Sequence, residues 1–308
     1  MKIGICIATY RRPERLGLLL EDLAGQLESP AEVNIVDNDP AQSARIVAER
    51  FGSSAPFLVR YDVQPERGIA LTRNRTVSLA SRDCDWLASV DDDERLPPEW
   101  LEQLMIAVKQ YSADAVLAPV VPVVPEDAPY WIRRGNFYDF PRMQSGESVP
   151  LNRLRFGNVI VRGELMRNEP GPFNAAYGLM TGEDADLLIR LIKKGAHVVW
   201  CDEAVVHEPV ESARLSLRWL LQRAFSGGQE FARKTLSGSY GNTGYRTKFI
   251  LLGRSGAQLL VAILLSALAL PFGRHRSVHW LIRAAANFGK LSTFWGWQYH
   301  EYAQPTSP

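Results

Sequence analysis

The sequence predicts an α/β fold in which helices cover both faces of a mostly parallel, Rossmann-like sheet. Short β-rich runs alternate with segments whose apolar residues recur at helical spacing, and this order produces parallel strands joined by crossover helices. Hydrophobic residues make up 46% of the 308 residues, which is enough for a large core. The 35 Lys and Arg nearly balance the 34 Asp and Glu, so the overall charge gives no reason to expect nucleic acid as a partner.

Each predicted element follows from its residue pattern. The strands of the first half are short apolar runs at 2–8, 33–36, 57–61, 86–90 and 115–124. The helices between them, several with Pro or Asp near the start, are at 14–26, 41–51, 70–81 and 98–111. Residues 126–150 form a Pro-, Gly- and aromatic-rich loop, and loops of this length usually bind something. A strand "FGNVIVR", a helix ending at Lys194, another strand and an amphipathic helix at 215–234 follow.

Polar residues follow three of the predicted strands, at the carboxyl ends where parallel sheets bind ligands. These segments read "ATYRRPE", "VDNDP" and "DDDERLPP". The four consecutive carboxylates Asp91, Asp92, Asp93 and Glu94 repel one another, which predicts a positive partner. An Asp-x-Asp in this place suits Mg²⁺ or Mn²⁺, with a bound diphosphate supplying the remaining ligands. The alternative is a solvated acidic turn.

Two other segments suit a nucleotide at the same edge. Asp37 ends the second strand, where its carboxylate can accept a hydrogen bond from uracil or a ribose hydroxyl, or can cap the next helix. Gly68 precedes a helix that carries Arg73 and Asn74 one turn in. A guanidinium in that place can reach the phosphates or base of a nucleotide, although Arg on a helix is usually solvated.

An acidic pair farther along the chain predicts a general base. Glu183 and Asp184 begin a helix, where the helix dipole favours the ionised carboxylate. One of the two can deprotonate a hydroxyl nucleophile, or both can simply cap the helix. His207, just after a predicted strand, is a candidate third metal ligand or a histidine with a structural role.

Taken in order, these motifs resemble the family 2 inverting glycosyltransferases of GT-A fold. The segments "IATYRRPERL", "VDND", "GIALTRNR", "VDDDE" and "TGEDADLLIRL" carry the resemblance over about two thirds of the chain. More narrowly, "QPERGIALTRNR", "PYWIRRGNFY" and "WLLQRAFSGGQEFAR" are similar to bacterial transferases that assemble succinoglycan-type exopolysaccharide on a lipid carrier.

The resemblance implies a role for each matching residue. The residues expected to bind the nucleotide sugar are Thr9, Tyr10, Arg11, Asp37, Arg73, Asn74, Asp91 and Asp92. The expected ligands of Mg²⁺ or Mn²⁺ are Asp93 and Asp91, with His207 as the third candidate, and the expected catalytic base is Asp184, with Glu183 beside it. Processive members carry Gln-x-x-Arg-Trp after the base. The segment "LLQRAF", with Gln222 and Arg223, does not reproduce that motif, which favours a single addition.

The C-terminal segment predicts membrane association. Residues 255–272 carry no charge and approach the ~20 apolar residues that cross a bilayer. An amphipathic segment with Trp280, Trp295, Trp297 and Tyr299, which suit a headgroup layer, follows. Basic residues at both ends favour an interfacial or re-entrant hairpin over a true span, and a buried core helix is the alternative. We therefore expect a GT-A catalytic domain over 1–240 and a membrane-associating helical region over 241–308.

The expected reaction is inverting transfer of one hexose from a UDP-sugar to a lipid-linked glycan, on the cytoplasmic side of the bacterial inner membrane. Trp131 in the long loop is the candidate for stacking on an acceptor sugar, or else anchors that loop. The first rival is a nucleotidyltransferase, which normally has a Gly-rich basic loop that "ATYRRPERL" lacks. The second rival is a non-catalytic nucleotide- or sugar-binding module of a polysaccharide assembly complex.

Overall fold

The computed structural model of the chain describes residues 1–241, 243–297 and 299, and it confirms the predicted α/β class. The strands are β1 Ile3–Thr9, β2 Glu32–Asp37, β3 Leu58–Val63, β4 Trp86–Val90, β5 Ala115–Leu117, β6 Val120–Val123, β7 Asn158–Arg162, β8 Val198–Trp200 and β9 Val206–Pro209. The helices are α1 Pro13–Ala24, α2 Arg45–Gly52, α3 Ile69–Leu79, α4 Trp100–Gln110, α5 Tyr130–Arg133, α6 Gly163–Arg167, α7 Glu183–Lys193, α8 Leu217–Leu236, α9 Tyr245–Ala269 and α10 Arg274–Ser292. Residues 242, 298 and 300–308 of the predicted C-terminal region lie outside the described residues.

The central sheet has the strand order β3-β2-β1-β4-β7-β5-β8, while β6 pairs with β9. Parallel pairs join β1 to β2 and β4, β2 to β3, and β5 to β8. Alternate residues of β1 pack in one apolar core with α1, including Ile5, Ile7, Leu16 and Leu20. The apolar residues at every second position of β1 and at every third or fourth position of α1 are therefore buried in the same core, as the sequence pattern predicts.

Three of the differences from the predicted elements concern the sheet and the helix after β2. First, β7 runs antiparallel to both of its neighbours. Second, the single strand predicted at 115–124 is two strands, because Pro119 has no N–H to donate to a ladder and the pairing changes there. Third, the helix predicted at 41–51 begins at Arg45, after a loop.

The sheet brings the polar strand ends together. Thr9 at the end of β1 pairs in register with Asp37 at the end of β2. The end of β4 is fixed by Asn158, which is buried opposite Val90. The Asn158 side chain accepts a hydrogen bond from Trp100 Nε1 at 2.9 Å and donates to the carbonyls of Pro119 and Ala204 at 3.0 and 2.7 Å. These three hydrogen bonds therefore fix the position of the strand end at which the acidic run begins.

The three cysteines lie in the interior. Cys6, Cys84 and Cys201 are buried free thiols. Burial raises the pKa of Cys6 to about 12 and those of Cys84 and Cys201 to about 11. All three thiols are therefore protonated at neutral pH.

The chain divides into two compact units. The first contains residues 1–122, 140–179 and 183–209, and the second contains 123–139, 180–182 and the described residues from Val210 onwards. Helix α8 thus belongs to the same unit as α9 and α10. The functional boundary at 240/241 stays a prediction.

In the second unit, α10 packs against both α8 and α9. The α8–α10 crossing is close, because a Cβ built at Gly228 would lie 2.0 Å from the Ala286 oxygen and one at Gly289 would lie 2.2 Å from the Phe225 oxygen. The hydroxyls of Ser266 in α9 and Ser277 in α10 are 2.9 Å apart. Among the described residues, the stretch Tyr245–Phe272 is long and apolar enough to cross a membrane, by length and composition.

The glycines at the α8–α10 crossing give a stability prediction. We expect Gly289→Ala to lower the free energy of unfolding by about 1–3 kcal/mol, because its methyl group would overlap the Phe225 backbone. Gly256→Ala in α9 is the control, since a Cβ there meets nothing within 4 Å and the change gains up to about 1 kcal/mol of helix propensity. Thermal unfolding in detergent measures the stability of both variants. An unchanged melting temperature for Gly289→Ala would contradict the close approach of α8 and α10.

Candidate functional site

Arg12 and Arg15, at the start of α1, are the positive partners of the acidic run. Arg12 Nη1 lies 3.0 Å from Asp92 Oδ1 and 3.0 Å from Asp93 Oδ2, and Arg15 Nη1 lies 3.7 Å from Asp93 Oδ2. Thr9 Oγ1 donates to Asp92 Oδ2 at 2.7 Å. Sequence reasoning expected a positive partner but did not identify these arginines, although their spacing of three at the start of the helix that follows β1 was a signal.

Arg73 connects the acidic run to the start of α7. Its Nη2 lies 3.3 Å from Asp91 Oδ1, and its Nη1 lies 2.9 Å from Glu183 Oε1. The guanidinium also lies over the rings of Phe156 and Phe173, at 5.5 and 5.8 Å from their centroids. The observed contacts show that Arg73 holds the carboxylates of Asp91 and Glu183 in place. Contact of Arg73 with a nucleotide stays a prediction.

The four carboxylates after β4 differ in their environments. The Asp91 side chain is 47% exposed, whereas those of Asp92 and Asp93 are buried. Burial raises the pKa of Asp92 to about 6, although the charge of Arg12 opposes the shift. Burial, with the charges of Asp91 and Asp93, raises the pKa of Glu94 well above its ordinary range. Desolvation raises the pKa of Asp91, and the charges of Asp93 and Asp184 add to this effect.

The cluster carries more negative than positive groups. Its six carboxyl groups belong to Asp91, Asp92, Asp93, Glu94, Glu183 and Asp184, and its three guanidinium groups belong to Arg12, Arg15 and Arg73. Burial is the main cause of the raised pKa of Asp91, Asp92 and Glu94, and the neighbouring carboxylates add to it. An additional cation would stabilise their ionised forms.

A small space beside Gly157 receives two of these carboxylates. A Cβ built at Gly157 would lie 3.2 Å from Glu94 Oε1 and 3.3 Å from Asp91 Oδ2. Glu94 Oε2 accepts a hydrogen bond from the Asp91 N–H at 3.0 Å, which fixes the two residues together. No group of three or more His, Cys, Asp or Glu among the described residues is arranged to hold a metal ion on its own. A cation here would therefore take its remaining ligands from a bound molecule.

Asp37 holds the loop before α2 through hydrogen bonds. Its Oδ1 accepts a hydrogen bond from the Asp39 N–H at 2.9 Å, and its Oδ2 accepts from the Ala44 N–H and the Tyr61 hydroxyl at 2.9 and 3.0 Å. The side chain is fully buried. These hydrogen bonds hold the loop, and α2 has no side-chain N-cap, so the alternative that Asp37 caps the helix is not observed. A contact between Asp37 and a nucleoside stays a prediction.

Tyr10 lies between two arginines at the end of β1. The guanidinium groups of Arg11 and Arg67 each lie 5.1 Å from the centroid of the Tyr10 ring. Arg11 has a φ of 55° and its Nε lies 3.3 Å from Asp39 Oδ2. Sequence reasoning missed Arg67, whose signal was its place directly before Gly68. The group combines an aromatic face with cations, which suits a base and phosphates.

Two asparagines hold loops beside the site. Asn38 Nδ2 donates to the carbonyls of Gln64 and Glu66 at 2.7 and 2.8 Å, and its Oδ1 accepts from the Gly68 N–H at 3.1 Å. Asn74 Nδ2 donates to the Phe173 carbonyl at 2.7 Å, and its Oδ1 accepts from the N–H of the same residue at 2.8 Å. Asn74 therefore clamps the loop before α7, and its contact with a nucleotide stays a prediction.

The two carboxylates that begin α7 are not equivalent. Glu183 is buried against Arg73, whereas Asp184 is partly exposed. Asp184 Oδ1 accepts a hydrogen bond from the Ala185 N–H at 2.6 Å, and within the described residues no hydrogen bond to its Oδ2 is formed. Of the pair, Asp184 is the carboxylate that a solvent-borne hydroxyl can reach.

His207 and Trp131 have structural contacts. His207 is exposed on β9, and its backbone exchanges two hydrogen bonds with Arg95 at 2.8 and 2.9 Å. The neighbouring Glu208, rather than His207, is among the charges that raise the pKa of Glu94. In the second unit, Trp131 packs 5.7 Å from Phe137, with the Arg274 guanidinium 4.4 Å from its ring centroid. The metal role of His207 and the acceptor role of Trp131 stay predictions.

Comparison with known proteins assigns the family. Residues 4–165 match Glycosyl transferase family 2. Succinoglycan biosynthesis protein ExoM of Rhizobium meliloti (strain 1021) is 33% identical over 245 residues, which cover 78% of this chain and 76% of that protein. Glucosyl-dolichyl phosphate glucuronosyltransferase of Haloferax volcanii is 25% identical over 245 residues, which cover 74% and 75%.

A solved structure shares the fold. The mannosyltransferase PcManGT from Pyrobaculum calidifontis, solved in complex with GDP-Man and Mn²⁺, aligns with a TM-score of 0.68 at 15% identity over 96% of this chain and 88% of that one. The mostly parallel sheet with flanking helices is the GT-A fold that the sequence predicts. The family match covers more than half of the chain, and the chain belongs to glycosyl transferase family 2.

Proposed function

We propose that the chain is an inverting glycosyltransferase that adds one hexose from a UDP-sugar to a lipid-linked oligosaccharide in cell-surface or exopolysaccharide biosynthesis. The observation that carries the proposal is the accessible carboxylate of Asp184, whose charge acts on Asp91 in the acidic run. An accessible base beside a cluster suited to a diphosphate is what such a transfer requires. The relatives named for succinoglycan biosynthesis and for a sugar-linked dolichyl phosphate support a lipid-linked acceptor.

The donor is proposed to bind at the carboxyl ends of β1, β2 and β4. The face of Tyr10 and the guanidinium groups of Arg11 and Arg67 are the groups there that suit a base and phosphates. The GDP-Man complex of PcManGT supports a nucleotide sugar as donor. UDP is the nucleotide we expect, and a panel of UDP- and GDP-sugars with nucleotide release as the readout tests that choice.

The acidic run fits a divalent cation, proposed to be Mg²⁺ or Mn²⁺. Its donors are hard carboxylate oxygens, which such ions prefer, and those of Asp91 and Glu94 converge beside Gly157. Asp91 and Asp93 are the proposed ligands, with His207 as the third candidate. When bound, the cation would neutralise the diphosphate leaving group.

The chain's own residues would organise the displacement. The acceptor hydroxyl attacks the anomeric carbon from the face opposite the diphosphate, and the bond from that carbon to the diphosphate oxygen breaks as the new bond forms. Asp184 Oδ2 accepts the hydroxyl proton, while the Ala185 N–H holds Oδ1. Arg73 keeps Glu183 and Asp91 in place. Trp131 is the residue proposed to stack on the acceptor sugar.

We place the reaction on the cytoplasmic side of the bacterial inner membrane. The apolar stretch Tyr245–Phe272 supports membrane association, and the three free thiols suit the reducing cytoplasm. The segment with Gln222 and Arg223 does not reproduce the processive motif, and this supports a single addition.

The first prediction concerns the base. We expect Asp184→Asn to lower the transfer rate ~10²–10⁴-fold, because Asn keeps the shape but cannot accept the proton. Binding of UDP, measured by calorimetry, should stay within a few-fold of wild type.

Glu183→Gln is the matched control, one residue away on the same helix. It loses a charge partner of Arg73 but leaves Asp184 in place, so transfer should fall less than in Asp184→Asn. Loss of transfer only in Glu183→Gln would reverse the two roles. Full activity in both variants would show that neither carboxylate is the base and that the pair only begins the helix. Absence of transfer in wild type would favour the non-catalytic binding module.

The second prediction concerns the cation. We expect Mn²⁺ to strengthen UDP binding by wild type and EDTA to remove this gain, whereas Asp91→Asn should bind UDP equally with and without Mn²⁺. Asp91 is chosen over Asp93 because it is the more exposed of the two and contacts one arginine, Arg73, whereas Asp93 contacts both Arg12 and Arg15. Asp127→Asn, an exposed carboxylate of the second unit, is the control for charge. Equal UDP affinity of wild type in Mn²⁺ and in EDTA would contradict the metal proposal.

The third prediction concerns pH. The pKa of Asp92 is about 6 in the folded protein against an ordinary value of 3.8, so between these values the folded state binds the additional proton. Stability contributed by Asp92 should therefore fall as pH rises through this window, by about 1–3 kcal/mol. Denaturant unfolding of wild type and Asp92→Asn between about pH 4 and pH 7 measures the difference. A difference independent of pH would show that Asp92 ionises normally.

A further inference from the structure

The hairpin of α9 and α10 is cationic and lacks acidic residues. Between residues 231 and 300 the sequence has nine Lys or Arg and no Asp or Glu. Seven of the nine lie on the two helices, and none of these seven forms an ion pair with a described residue. The charge of these cations is therefore left for a ligand from outside the hairpin.

Part of this charge forms a row on one face of α10. Arg276, Trp280, Arg283, Asn287 and Lys290 follow one another at spacings of three and four, which places them on one side of the helix. The Arg283 guanidinium lies 4.6 Å from the centroid of the Trp280 ring, and Lys290 Nζ donates to Asn287 Oδ1 at 3.1 Å. The row is thus an ordered surface.

A groove separates this row from α9. One cavity of about 480 Å³ is lined by Arg283, Asn287 and Lys290 from α10 and by Gln258 and Val261 from α9, among others. A second cavity of about 340 Å³ continues it past Trp280 and Arg283. Most of the lining is apolar, so the groove combines a few cations with apolar walls.

An apolar stripe on α9 and the short turn after it lies in the same hairpin. Leu260, Leu264, Leu268 and Phe272 follow one another four residues apart, and each is between 57% and 70% exposed. Exposure of four large side chains in one stripe is unfavourable in water. An acyl chain would cover such a stripe.

We propose that the groove between α9 and α10 binds the phosphate headgroup of an anionic membrane phospholipid, with the acyl chains along the α9 stripe. A neutral lipid would cover the stripe but leave the cations without a counter-charge. A second copy of this hairpin would bring two sets of cations together, which is unfavourable. An anionic phospholipid satisfies both the charge and the apolar surface. This proposal does not depend on glycosyl transfer.

The test measures binding of the full-length protein to vesicles of phosphatidylcholine with and without phosphatidylglycerol. Wild type should prefer the vesicles that contain phosphatidylglycerol. Arg283→Gln combined with Lys290→Gln should lose about 30-fold of that affinity, since each Lys or Arg near an anionic surface contributes about fivefold. Binding to phosphatidylcholine alone should stay unchanged, because the apolar stripe is intact.

Two matched variants separate charge from fold. Arg50→Gln combined with Lys109→Gln removes the same charge from exposed residues of the first unit and should leave lipid preference unchanged. Arg283→Lys combined with Lys290→Arg keeps the charge and should keep the preference even if the Gln variant unfolds. Equal binding of wild type to both vesicle types, or an equal loss in the control pair, would overturn the proposal. Tight binding to soluble polyglutamate without vesicles would overturn it in favour of an acidic protein partner.

Nucleotide-sugar hydrolysis, measured on the same preparations, keeps the two proposals distinguishable. The Gln variant should hydrolyse the donor like wild type, because neither residue lies in the acidic cluster. A protein that selects anionic vesicles but has no transferase activity would support the lipid site and reject the enzyme.

Discussion

The bridge that Arg12 forms between Asp92 and Asp93 is the interaction on which the arrangement of the first unit depends. Both carboxylates are buried, and an ionised carboxylate in the interior is very unfavourable unless it is paired and hydrogen-bonded. Because Arg12 precedes α1 and the acids follow β4, the ion pairs tie two distant parts of the chain to one edge of the sheet. Thr9 adds a hydrogen bond to the same carboxylate from the end of β1. Asp91 is thereby left as the carboxylate of the run that keeps an open side.

The sequence predicted the elements well where the pattern is local. Strands such as β1 and β4 and helices such as α1 and α4 appear within about two residues of the predicted bounds, because their apolar periodicity is satisfied by one core. The order of the polar strand ends also predicted which side chains share an edge, since parallel strands place their carboxyl ends together. The family resemblance came from the same segments.

Other features depend on long-range contacts that periodicity does not encode. The direction of β7 is set by its pairing with β4 and β5, and nothing within "FGNVIVR" distinguishes parallel from antiparallel. The hydrogen bonds that Asp37 accepts from Ala44 and Tyr61 are known only once the strands are assembled. Arg12 was visible in the sequence, but its partners lie 80 residues away. Glu183 and Asp184 begin the same helix, so only the assembled structure shows that Asp184 is the more exposed of the two.

The burial of the three thiols has a practical consequence for observing this protein at work. Maleimide reagents attack exposed thiolates, and Cys6, Cys84 and Cys201 are both buried and protonated. A cysteine introduced at an exposed position would therefore carry a fluorophore or spin label selectively, without removal of the native residues. The loop that Asn74 clamps at Phe173 offers such positions, so its movement during donor binding can be followed in an otherwise unmodified chain.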